Sequence, residues 1–252
     1  MAKKPRSKKP RSSHLHAVSG NAAHNSYNDL DWHPLDDEID GSRDKKFIKS
    51  IKPRSEGQKT LMQAIEEKNL TLAIGPAGTG KTYLAISAAV EALEAGTVER
   101  IILSRPAMEA GESLGYLPGD MHEKMAPYLR PLYDALGDRL GGKKVRQHMD
   151  EGTIEIAPVG FMRGRTLNNA FVVIDEAQNC TYGQIKMLLS RLGWHSTMVV
   201  TGDPDQSDLL DGMSGLAEIA GRLDEIENIA VIRLKSSDIV RHPLVSEMLD
   251  VL

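Results

Sequence analysis

The sequence predicts an α/β domain in which a parallel sheet is covered by helices on both faces. Short unbroken apolar runs, such as 171–174 and 198–201, suit strands buried on both sides. These runs alternate with segments whose apolar residues recur at helical spacing. A glycine-rich octapeptide, 75–82, lies between one such strand and one such helix.

The elements follow in order from near Pro53. Residues 56–68 carry Leu61, Met62 and Ile65 at helical spacing, 70–74 is a short strand, and 81–95 is an alanine-rich helix. The next strand is 100–104, and a long middle section, 106–142, holds helix-like pieces among many turn residues. Strands at 153–158 and 171–174 come next, then a helix at 182–192, a buried strand at 198–201 and a last strand at 229–234.

A chain of 252 residues fits one domain of ordinary to generous size with an appendage. Hydrophobic residues make up 40% and charged residues 26%, close to the globular average. No apolar run approaches the roughly 18 to 20 residues of a membrane span. The N-terminus is basic without an apolar stretch behind it, so neither a signal peptide nor an anchor is expected, and cytoplasm is the predicted setting. The lone Cys180 agrees with a reducing compartment.

Residues 1–50 are predicted to be a disordered basic tail and linker, ahead of a domain at 53–252. Lys3, Lys4, Arg6, Lys8, Lys9 and Arg11 occur with two prolines and no acidic residue, a composition that cannot pack a core. Such a tail either solubilises the chain or gathers a phosphodiester backbone. Net charge is only −4, so any nucleic-acid contact must come from local clusters of this kind. His14 and His16 lack further ligands at metal-binding spacing and are assigned no metal.

Gly75, Pro76, Ala77, Gly78, Thr79, Gly80, Lys81 and Thr82 match the Gly-x-x-x-x-Gly-Lys-[Ser/Thr] phosphate loop in full, after a strand and at the head of a helix. Glycines let successive N–H groups turn toward one centre, and the helix N-terminus adds positive potential. Lys81 is expected on the β- and γ-phosphates of ATP and Thr82 on magnesium. The strand 171–174 ends in Asp175 and Glu176, at the sheet edge where open α/β folds hold ligands. Asp175 would position the Mg2+ ion and Glu176 would take the proton of an attacking water. Gln206, in the polar turn after 198–201, would contact the γ-phosphate or the water. These features predict an ATP hydrolase. A kinase using the same cradle and a non-catalytic nucleotide switch are the alternatives; Glu176 beside Asp175 argues against the kinase.

Five segments together resemble the PhoH family: Gly-Pro-Ala-Gly-Thr-Gly-Lys-Thr at 75–82, Ser-Arg-Pro-Ala-Met-Glu-Ala-Gly-Glu-Ser-Leu-Gly-Tyr-Leu-Pro-Gly-Asp at 104–120, Asp-Glu-Ala-Gln-Asn at 175–179, Thr-Gly-Asp-Pro-Asp-Gln at 201–206, and Ser-Ser-Asp-Ile-Val-Arg-His-Pro-Leu-Val at 236–245. The resemblance implies a RecA-like P-loop core similar to one motor domain of superfamily 1 helicases, ATP hydrolysis, association with single-stranded RNA, and a link to phosphate starvation. It also implies a homo-oligomeric ring, a hexamer, because a single core leaves one side of its ATP site open. Carried over residue by residue, Gln58 would read the adenine edge, Arg241 would act as an arginine finger in cis or in trans, and Arg105 would touch nucleic-acid backbone. Arg163 and Arg165 are further candidates for backbone or subunit contact, with solvated surface charge as the alternative. Relatives with an extra N-terminal nuclease or binding domain differ from this chain, which makes the basic tail the candidate RNA tether.

Overall fold

The computed structural model describes residues 51–106, 121–210 and 212–240, with Met248; over 121–127 it describes the backbone alone. The expected tail and linker at 1–50 and the finger residue Arg241 lie outside the described residues. Six strands form one sheet: β1 (Leu70–Ile74), β2 (Arg100–Arg105), β3 (Ile154–Pro158), β4 (Ala170–Ile174), β5 (Thr197–Gly202) and β6 (Ile229–Arg233). Their order is β3-β2-β4-β5-β1-β6 and every pairing is parallel. The helices are α1 (Glu56–Glu67), α2 (Lys81–Glu94), α3 (Met121–Leu140), α4 (Gly142–Asp150), α5 (Tyr182–Leu189) and α6 (Leu216–Leu223).

Side-chain alternation along the strands divides the interior into two cores. Phe171 and Val173 of β4 pack with Leu61, Ile86 and Leu136 on the face covered by α1 to α4. Val172 and Ile174 pack with Met198, Ile185 and Leu216 on the face covered by α5 and α6. All five residues of β4 are buried. That burial is why its sequence reads as a continuous apolar run rather than an alternation.

Local chemistry sets the helix ends. Ser55 caps α1 by accepting from the Gln58 N–H at 3.1 Å. Thr181 and Gln184 form a reciprocal capping box at the start of α5. That helix stops at Leu189, three residues short of the expected 192, where Ser190 and Arg191 turn the chain back. Two helices escaped the sequence reading. In α4 only Val145 is fully buried and Met149, one turn on, packs partly against the core, so a nine-residue, mostly polar segment offers just two apolar positions. In α6 the apolar stripe of Leu216, Ile219, Ala220 and Leu223 is regular but lies in a helix of only eight residues that contains Gly221. Among the described residues, no helix is long and apolar enough to cross a membrane.

Candidate functional site

The loop between β1 and α2 is folded against the ends of two neighbouring strands. Gly75 has φ +140°, and a Cβ there would lie 2.3 Å from the carbonyl oxygen of Leu234; its N–H donates to the Gly202 carbonyl at 3.2 Å. Only glycine allows so close an approach in that conformation. Gly80, with φ +84°, enters α2 without a side-chain cap, so the first N–H groups of the helix remain available to an anion. Thr79 closes the loop on itself by donating its hydroxyl to the Pro76 carbonyl at 2.8 Å.

Lys81 is buried, and its ammonium donates to the carbonyls of Gly75 and, at 2.8 Å, Pro76. Burial pushes its pKa below the usual lysine value, while Asp203, Glu176 and Asp175 act in the opposite sense. Gln58, also buried, donates from Nε2 to the Thr79 carbonyl at 3.0 Å and accepts the Arg54 N–H at 2.8 Å. Its amide therefore braces the loop from beneath. The adenine contact expected of it would have to use the one amide hydrogen not directed at Thr79 or the second lone pair of the amide oxygen.

Two strands away, β4 ends in the carboxylate pair. Oδ1 of Asp175 accepts the Thr82 hydroxyl at 2.6 Å and the Thr201 hydroxyl at 2.7 Å. Oδ2 lies 3.5 Å from a guanidinium nitrogen of Arg105. Glu176 has φ +53°, unusual for a residue with a side chain. One of its oxygens lies 3.4 Å from the other terminal nitrogen of Arg105, and the second accepts from Gln178. The carbonyl oxygen of the Gln178 side chain in turn accepts the Asp203 N–H at 3.1 Å. Thus β5, which runs between β1 and β4, supplies both Thr201 and the turn that holds Gln178.

Lys81, Thr82, Asp175, Glu176, Asp203 and Gln206 line a single cleft of about 280 Å³ at the carboxyl edge of the sheet. Gln206 is exposed at its rim, with its N–H donating to the Asp203 carbonyl. No group of three or more His, Cys, Asp or Glu at metal-binding spacing occurs among the described residues. The chain thus offers a divalent cation a hydroxyl and a carboxylate, and phosphate and water would complete an all-oxygen shell. That donor set suits Mg2+.

Thr201, Gln178 and the contacts of Arg105 escaped the sequence reading. The signal for Gln178 lay in its place two residues after Glu176; that for Thr201 required knowing that β5 separates β1 from β4. Arg105, expected on nucleic acid, faces the two carboxylates. Arg165 forks onto Glu155, with its second nitrogen 2.6 Å from Oε2. Arg163 is exposed on the turn after β3, with no ion pair among the described residues.

Residues 50–252 match the family model described as PhoH-like protein. The chain is 54% identical over 203 residues to a PhoH-like protein of Bacillus subtilis, covering 80% of this chain and 64% of that one. It is 46% identical over 206 residues to Protein PhoH of Escherichia coli, covering 81% of this chain and 58% of that one. The chain thus spans about three fifths of the length of the curated relatives it matches. Among solved structures, the large terminase of a thermophilic bacteriophage aligns with a TM-score of 0.50 at 13% identity, over 79% of this chain and 50% of that one. At that identity the likeness speaks to the fold alone.

Proposed function

The chain belongs to the PhoH-like proteins, and on that premise we propose that it is a magnesium-dependent ATPase acting with single-stranded RNA. The observation that carries this reading is that Lys81, the cation of the phosphate loop, and Glu176, a carboxylate able to take a proton from water, line one cleft. The glycine loop and the head of α2 would hold the phosphates through backbone N–H groups. Lys81 would exchange its two carbonyl partners for phosphate oxygens. Thr82 and Asp175 would hold the Mg2+ ion, which supplies charge neutralisation on the phosphates. Glu176 would accept the proton of the attacking water, and Gln206, on the rim, would contact the γ-phosphate.

Several finer assignments belong to the same proposal. Arg241 follows Val240, whose N–H donates to the Gly78 carbonyl at 2.9 Å, and this supports a finger acting on its own loop. A hexameric ring, the basic tail at 1–11 as RNA tether, and a role in phosphate starvation rest on the family resemblance. A domain at 53–252 is supported by two cores that between them draw on every element from α1 to β6. Cys180 is buried, with its thiol pushed up to about 12 by burial, which suits an inert residue in a reducing cytoplasm. The test is phosphate release from ATP with and without single-stranded RNA. Turnover that requires magnesium and rises with RNA is expected; absence of turnover in every condition overturns the reading.

A further inference from the structure

Every oxygen of the Asp175–Glu176 pair is engaged by a group of this chain. Asp175 Oδ1 takes two hydroxyls. Its Oδ2 and one oxygen of Glu176 share the two terminal nitrogens of Arg105. The remaining oxygen of Glu176 accepts from Gln178. A general base works through a lone pair aimed at the proton it removes. Glu176 as it stands aims at a guanidinium and an amide, from a left-handed backbone conformation that its partners must maintain.

Among these partners Arg105 is the exchangeable one. Gln178 is nearly sealed from solvent, at 3% exposure, and is pinned at both ends of its amide. The side chain of Arg105 is 20% exposed, and its contacts, at 3.4 and 3.5 Å, are ion pairs rather than short hydrogen bonds. A guanidinium fork fits phosphate as well as it fits carboxylate.

Position decides which phosphate could draw it away. The order β2-β4-β5-β1 places Arg105, the last residue of β2, one strand beyond the carboxylates and on the opposite side from the phosphate loop. Arg105 is not among the residues lining the nucleotide cleft. A phosphate on the far side of Arg105 would approach from beyond β4 rather than from the phosphate loop. Strand β3 adjoins β2, and the 3-10 turn that follows it, Val159–Met162, leads to Arg163, which is exposed to solvent. A partly exposed arginine at the end of β2 and an exposed one beyond the neighbouring strand suit the spaced charges of a phosphodiester strand better than a single free ion.

We infer that Arg105 is a brake on hydrolysis: it occupies one oxygen of Glu176, which lines the cleft, until a single-stranded nucleic acid takes its guanidinium. The inference rests on Glu176 as general base, and it makes strand binding the step that frees that base. No covalent change is involved, because one ion pair replaces another.

The test is steady-state phosphate release by the full chain, Arg105→Ala, Arg105→Lys and Arg105→Ala/Glu176→Gln, each alone, with oligouridylate and with oligothymidylate. Arg105→Ala is expected to raise unstimulated kcat by about tenfold or more, within the range that a general base contributes, with KM for ATP nearly unchanged. Its ratio of stimulated to unstimulated rate should fall to near one. Arg105→Lys, whose point charge cannot fork across two carboxylates, should fall between parent and Arg105→Ala, and the double variant should be inactive. Oligouridylate and oligothymidylate tell RNA from DNA as the releasing strand, and stimulation of the parent by either supports the brake. A fall in kcat for both single variants overturns it, as does a rise that leaves the stimulation ratio intact. If the parent turns over but neither strand accelerates it, the strand is not what releases Arg105 and the inference fails. If the double variant releases phosphate as fast as Arg105→Ala, Glu176 is not the base and the fault lies in the ATPase reading itself.

Discussion

The hydroxyl of Thr82 donates to Oδ1 of Asp175 at 2.6 Å, joining the first turn of α2 to the end of β4 across 93 residues of sequence. A hydroxyl and a carboxylate oxygen this close present a ready-made pair of hard ligands. Thr82→Val keeps the shape of the side chain and removes the oxygen. It should raise the magnesium concentration needed for half-maximal turnover by about tenfold or more, while Thr82→Ser stays near the parent. Titrating turnover with magnesium checks both, and an unchanged requirement in Thr82→Val would remove Thr82 from the ion's shell.

Lys81→Ala and Glu176→Gln should separate binding from chemistry. The first deletes a buried phosphate-directed charge and should abolish ATP binding with little loss of stability. The second preserves shape but cannot accept a proton, so ATP should still bind while kcat falls on the order of 10² to 10⁴. Equilibrium binding of a fluorescent ATP analogue, run beside a phosphate-release assay, distinguishes the two.

Gly75 is a place where the backbone leaves no room. Gly75→Ala would put a methyl group 2.3 Å from the Leu234 carbonyl at φ +140°. A loss of about 3 kcal/mol or more in stability is expected, together with loss of nucleotide binding. Gly164, at φ +77° with nothing within 4 Å of where a Cβ would stand, bears the conformational strain alone. There the alanine variant should cost about 1 to 2 kcal/mol. Urea unfolding of the two variants gives the comparison, and equal losses would mean that the contact with Leu234 is easily relieved.

Asp238 ties the segment after β6 to the head of α1. It accepts from the Lys235 N–H at 2.8 Å and the Gly57 N–H at 3.2 Å. The Lys235 N–H, then the Ser55 hydroxyl, hold its pKa below the usual 3.8. A depressed folded-state pKa stabilises the fold above the unfolded value and loses that contribution as pH falls below 3.8 toward the folded value. Melting temperatures of parent and Asp238→Asn should therefore differ most near neutrality and converge in acid. Parallel curves across that window would assign the carboxylate no role in acid sensitivity.

Val240 bears on the proposed finger, because its N–H is bonded to Gly78 of the same chain and Arg241 is the next residue. Arg241→Ala should lower turnover far more than nucleotide affinity, by on the order of 10³ where such a finger is fully used. Mixed with Lys81→Ala subunits, it should recover no activity. Recovery in mixed assemblies, verified by mass measurement, would show instead that the arginine serves a neighbouring subunit.

Legibility followed the physics of each segment. Strands β1, β4 and β5 were readable because burial on both faces turns them into continuous apolar runs, and the phosphate loop because its chemistry fixes residue type at every functional position. Helix α4 was not readable, since only Val145 and Met149 commit it to the core. The partners of Asp175 and Glu176 were hidden for another reason. Arg105 and Thr201 reach them through the order of strands in the sheet, a long-range property that local pattern does not carry, whereas Gln178 lies only two residues beyond Glu176.

That order has a further consequence for β5. A strand interposed between the phosphate loop and the carboxylates makes the sheet a caliper, whose jaws stand two inter-strand spacings apart, about 9 to 10 Å. The gap is set by backbone hydrogen bonds buried between two cores, so substitutions in the surrounding loops cannot widen or narrow it. Variation among such chains can change what sits at the rim, but the span available to a phosphate and its metal is inherited with the fold.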